Sequence, residues 1–122
     1  MKLHASGPSG VNTITGYGEG YVMVNGERRA SSVVVLPDRV QEWSVGGFDD
    51  LTAEDFDFLK ELKVEIVLLG TGARQRFPHP RLTAALAQAG IGLEVMDVQA
   101  ACRTYNILAA EERIVAAALL FA

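Results

Sequence analysis

The chain has a single thiol and two imidazoles, and their positions decide what chemistry they open. Cys102 would react only as the thiolate, so it needs a base or a helix N-terminus to lower its pKa. His79 is placed to serve, because it follows a glycine turn at residues 70–72 and precedes a helical pattern, whereas His4 sits in the opening stretch. A Cys102–His79 thiol site is one reading of these residues. A packing cysteine is the other, since Cys102 follows two alanines in "AACRTYNILAAEER" and free cysteine is among the most buried residue types.

The run "GTGARQR" suggests a second chemistry. The backbone N–H groups of Gly70, Thr71 and Gly72, helped by Arg74 or Arg76, could hold a small anion at the end of a strand, where open α/β sheets bind ligands. The run lacks the third glycine of a dinucleotide fingerprint and the lysine of a phosphate loop, so a plain structural turn competes with it. Asp49, Asp50, Glu54, Asp55 and Asp57 read as a solvated helix entrance favoured by the helix dipole, not as a catalytic pair. Two histidines and one cysteine at unrelated spacings give no zinc or iron set, so neither a metal nor a cofactor is expected.

The elements that must position these groups fit one domain spanning residues 1–122. An apolar fraction of 49% with 21% charged residues is too hydrophobic for disorder and predicts a compact globular chain. A net charge of −4 argues against a nucleic-acid partner, and Arg28, Arg29, Arg74, Arg76 and Arg81 are too few for a basic stripe. The opening "MKLHASGPSG" has no apolar core like that of a secretory signal. No run approaches the roughly 20 apolar residues of a membrane span, so a cytoplasmic protein without membrane insertion is expected.

Asn25-Gly26, the favoured pair for a type I′ turn, joins two strand-like runs, the second ended by Pro37. "VQEWSV" alternates and puts Trp43 and Val45 on the inner face of a further strand. Thr52 can cap a helix with Asp55 three residues on, followed by Phe56, Leu59 and Leu62 at helical spacing. "VEIVLLGTG" suits a strand covered on both faces. Pro80 then opens a helix with Leu82 and Leu86 on its buried side and Gly90 as its stop, and "IGLEVM" returns as a strand. Asp97 can cap a last helix in which Ala101, Tyr105 and Leu108 form one stripe and Cys102, Asn106 and Ala109 the next. "RIVAAALLFA" reads as a closing strand. The whole predicts an α/β fold: a three-layer single domain with a mixed central sheet flanked by helices and an N-terminal β-hairpin.

Taken together, "VNTITGYGEGYVMVNG", "SSVVVLPDRVQEW", "LTAEDF", "LLGTG" and "AACRTYNILAAEERIVAAAL" resemble the Mth-type domain family. Its members include bacterial and archaeal single-domain proteins, the mitochondrial NADH dehydrogenase (ubiquinone) complex I assembly factor 3 and the adipogenesis-associated Mth-domain protein. The resemblance singles out Thr104, Tyr105, Asn106, Glu111 and Arg113 as motif residues, and it implies assembly of a respiratory complex for the mitochondrial members and no accepted enzymatic mechanism. Val98 stands where a capping threonine is frequent in the family, and Glu112 where glycine is usual, which argues against a left-handed turn there. We therefore expect a packing helix whose polar members hold it against the Gly70–Gly72 turn, with Glu111 and Arg113 tying it to the closing strand. The expected function is a non-catalytic interaction or assembly module with another protein as partner. The alternative is a small-anion site or a thiol enzyme.

Overall fold

The computed structural model of the protein describes residues 10–121; the opening stretch, with His4, lies outside the described residues. Strand β1 (Ile14–Gly18) runs antiparallel to β2 (Tyr21–Val24), which turns through Asn25 and Gly26 into β3 (Glu27–Arg29). Both turn residues take positive φ, 52° and 83°, as a type I′ turn demands. The expected hairpin is thus the second half of a three-stranded sheet, and its β1–β2 half was not foreseen.

The run after Asn25-Gly26 is not one strand. It divides into β3 and β4 (Val33–Leu36), which belong to different sheets. Composition explains the division: β3 carries Arg28 and Arg29 on the surface, with Arg28 over the Tyr21 ring at 4.0 Å, while every residue of β4 is buried. Strand β5 (Arg39–Glu42) pairs antiparallel with β4 across the Pro37–Asp38 turn. Trp43 and Val45 do share the buried side, but strand pairing stops at Glu42.

A 3-10 turn (Phe48–Asp50) leads into helix α1 (Ala53–Lys60), where the Asp55 carboxylate accepts from the Thr52 backbone N–H at 2.8 Å and from its hydroxyl at 3.1 Å. Then follow β6 (Ile66–Thr71), α2 (Pro80–Gln88), β7 (Gly92–Met96), α3 (Val98–Ala110) and β8 (Val115–Leu120). The sheet order is β5-β4-β8-β6-β7, with β8 antiparallel to β4 and parallel to β6, hence mixed. Alternation in β8 serves both faces. Val115, Ala117 and Leu119 join the layer beneath α3, and Ala116, Ala118 and Leu120 join the layer beneath α1 and α2. Ile14, Val22 and Val24 of the small sheet complete the α3 layer. No helix among the described residues is long and apolar enough to cross a membrane.

Helices α2 and α3 end alike. Gly90 and Glu112 are both left-handed (φ 75° and 65°), and each ending makes the paired bonds of a Schellman motif: Ile91 N–H to Leu86 O and Gly90 N–H to Ala87 O, then Arg113 N–H to Leu108 O and Glu112 N–H to Ala109 O. The left-handed turn argued against by Glu112 is present, because those carbonyl bonds and β8 beyond it hold the residue there. A side chain pays strain at this φ that glycine does not. Glu112→Gly is therefore expected to raise stability by up to about 1 kcal/mol in urea unfolding; a destabilised variant would show that the strain is already relieved.

Candidate functional site

Gly70 lets α3 begin directly on β6. A Cβ there would sit 3.0 Å from Leu119 Cδ2 and 3.2 Å from both Ala101 Cβ and Val98 Cα. Thr71 closes the turn that follows: its buried hydroxyl accepts from Arg76 N–H at 2.9 Å and has the Arg74 carbonyl at 2.7 Å to donate to. Gly72, at φ 85°, accepts the Val98 N–H at 2.9 Å, so the turn holds the start of α3. Arg76 reaches the other way, its guanidinium 2.7 Å from Asp49 and 4.2 Å over the Phe48 ring. Arg74 is exposed. The expected anion-binding residues are thus neighbours in the chain, while the hydroxyl and one arginine are engaged within the protein.

The space at this end of the sheet lies beside them. The chain leaves β6 toward α2 on one face and leaves β7 toward α3 on the other, and such divergence opens a crevice at the carboxyl ends of parallel strands. A cavity of about 430 Å³ occurs there, lined by Gly72, Ala73, Asp97, Val98, Gln99, Phe121 and the β1–β2 turn Gly18–Glu19–Gly20. Its charged side chains are the carboxylates Glu19 and Asp97; neither Arg74 nor Arg76 lines it. Asp97 caps α3 by accepting the Ala100 N–H at 2.9 Å, and Gly72 takes that of Val98, so the helix end has little left for an anion. Sequence reasoning missed this crevice because the β1–β2 turn that walls it had not been assigned.

Cys102 is fully buried beneath α3, and burial pushes its thiol up to about 12, with Asp97 adding to the shift and Arg103 opposing it. His79 is the N-cap of α2, where its Nδ1 accepts the Arg81 N–H at 3.1 Å. The two belong to layers on opposite faces of the sheet, so the structure does not bring the thiol and the imidazole together.

The polar members of α3 do a different job from the one expected. Asn106 accepts the Ile14 N–H at 2.9 Å and donates to the Ile14 carbonyl at 2.8 Å, standing in for a neighbouring strand beside β1. Tyr105 donates to the Asn12 carbonyl at 2.9 Å, and burial raises its pKa. These residues grip the N-terminal strand rather than the Gly70–Gly72 turn. Thr104 is half-buried. Arg113 pairs with Glu65 at 2.9 Å, not with Glu111, and so ties the chain entering β8 to the chain entering β6; the Arg113 hydrogen bond holds the exposed Glu65 carboxyl below its usual pKa. Glu111 is the exposed C-cap of α3. No group of three or more His, Cys, Asp or Glu side chains that could hold a metal occurs among the described residues.

A family model described as protein of unknown function (DUF498/DUF598) matches residues 14–120. The bovine protein named NADH dehydrogenase (ubiquinone) 1 alpha subcomplex assembly factor 3 is 38% identical over 109 residues, covering 88% of this chain and 59% of that protein. The chain spans a little over half the length of such curated relatives. The crystal structure of a Bordetella parapertussis protein is 42% identical with a TM-score of 0.86, over 92% of this chain and 97% of that one. The solution structure of a Bordetella pertussis protein described as a Mth938-like domain is 36% identical with a TM-score of 0.82, over 98% of this chain and 92% of that one.

Two outcomes are expected from this geometry. Native Cys102 should react slowly with a disulfide reagent at neutral pH and rapidly only in denaturant; a fast native reaction with a midpoint below that of free cysteine would restore the thiol site. Asn106→Ala leaves the N–H and carbonyl of Ile14 without partners and should cost about 1–3 kcal/mol in chemical unfolding. A loss of only a few tenths would mean that β1 holds its place without the amide.

Proposed function

Since the chain belongs to the family of proteins of unknown function DUF498/DUF598, the Mth-type domain family, we propose that it is a non-catalytic protein-interaction module that helps to assemble a respiratory NADH dehydrogenase. The observation that carries this reading is the 38% identity to a protein named for assembling that enzyme, over 88% of this chain. The region of likeness is the entire α/β domain and not one motif, so what is shared is a shaped surface.

The site chemistry is in keeping with it. A thiol pushed up to about 12 is protonated at neutral pH and is a poor nucleophile, which disfavours the thiol enzyme. The carboxylates of the large crevice and the engagement of Arg76 with Asp49 disfavour the small-anion site. A cytoplasmic location, expected from the sequence, is part of the proposal.

The reading is tested in the cell that encodes the chain. Deleting the gene should lower the amount of assembled NADH dehydrogenase, seen as lost NADH-oxidising activity in a native gel, and Cys102→Ala should restore it as well as the natural sequence. Undiminished enzyme in the deletion strain would refute the assembly role. Rescue by the natural chain and not by a folded Cys102→Ala variant would point back to thiol chemistry.

A further inference from the structure

The indole of Trp43 is the one buried side-chain polar group among the described residues without a hydrogen-bond partner: the residue is 5% exposed and its Nε1 meets no acceptor. A buried donor left unpaired costs about 1–3 kcal/mol, so it asks for an explanation. Trp43 borders a cavity of about 170 Å³, whose other walls are Glu42, Ser44, Asp55 and Phe58. Glu42 and Ser44 are exposed, and Phe58 keeps 37% of its surface in solvent. The Asp55 oxygen that caps α1 is Oδ2, which leaves Oδ1 to whatever enters. Beside the cavity runs β5, an edge of the five-stranded sheet that among the described residues is paired only with β4.

These features make complementary demands. The indole N–H needs an acceptor, Glu42 and Asp55 favour a cation, Phe58 offers an aromatic surface over which a cation is attracted, and an unpaired strand edge accepts extended backbone. A peptide segment carrying arginine or lysine supplies all of them from one chain: a backbone carbonyl for Nε1, a cationic side chain for the carboxylates and main-chain groups for the edge. An anionic polymer or an anionic membrane would meet Glu42 and Asp55 with like charge.

We infer that β5 and the Trp43 cavity are the docking edge for an extended basic segment of a partner protein, which adds as a strand beside Arg39–Glu42 and gives a backbone carbonyl to Trp43 Nε1. This rests on the interaction-module reading and names the surface that would carry it. Nε1 has no contact with solvent in the free protein, so the carbonyl reaches it only through local opening of the cavity.

Trp43 is the only tryptophan, so its indole N–H gives a single, unambiguous NMR resonance. A blocked octapeptide alternating arginine and threonine, titrated into the intact protein, should shift that resonance downfield and slow the solvent exchange of β5 backbone amides. The same peptide with glutamate for arginine should do neither. Glu42→Lys, a change at an exposed position, should weaken the binding on the order of tenfold with the melting temperature kept. An inert indole at saturating peptide, an equal shift with the glutamate peptide, or a shift that grows with protein concentration alone, as pairing of two copies would give, overturns the inference. If Glu42→Lys still restores NADH dehydrogenase assembly while the indole is inert, this surface is wrong and the module reading stands. Failure of the natural sequence to restore assembly while the indole responds as stated would instead sink the module reading alone.

Discussion

Everything in this fold depends on how closely α3 approaches the sheet. Gly70 sets that approach, because a single added carbon would lie 3.0–3.2 Å from Leu119, Ala101 and Val98. With the helix down on β6, Cys102 and Tyr105 are sealed from solvent, and Asn106 comes within reach of both main-chain groups of Ile14. The three-stranded sheet then has an apolar surface to complete, through Ile14, Val22 and Val24. The small side chains of Ala116, Ala117 and Ala118 in β8 serve the same end on both faces, since bulkier ones would hold the layers apart.

What could be read from the sequence was local. Asn25-Gly26 announces its turn, Thr52 with Asp55 its helix start, Pro80 with Gly90 the limits of α2, and Asp97 the cap of α3, because each signal is complete within a few residues. The expectations that the structure corrects depend on distant partners. Arg113 finds Glu65 at a separation of 48 residues, and Asn106 finds Ile14 at 92, and no spacing rule reaches that far. The division of β3 from β4 was visible in principle, in the change from charged residues to a fully apolar run, but strand propensity alone treats both as one arm. Glu112 misled for another reason: its preference against positive φ is a modest energy, and two carbonyl bonds with a strand beyond outweigh it.

Charge separates the two surfaces of interest from the anion chemistry that the glycine turn suggested. The end of the sheet presents Glu19 and Asp97, the β5 edge presents Glu42 with Asp55, and Arg76, beyond the glycine turn, is turned onto Asp49. On the proposed docking reading, an acidic chain with acidic recesses would favour basic partners, first by steering encounters and then by rejecting the wrong sign. Such selection would suit the proposed assembly role.

The order of strands has a consequence for biosynthesis. In β5-β4-β8-β6-β7 the strand that joins the antiparallel hairpin to the parallel pair follows all the others in the chain. As the polypeptide emerges from the ribosome, β4 and β6 are therefore complete while each lacks its central neighbour, and both are apolar runs with one open edge. Unpaired apolar edges are the surfaces through which nascent chains aggregate. A chaperone that shields extended apolar segments would act on this domain until β8 emerges, and would lose its hold when that strand slides between the two halves.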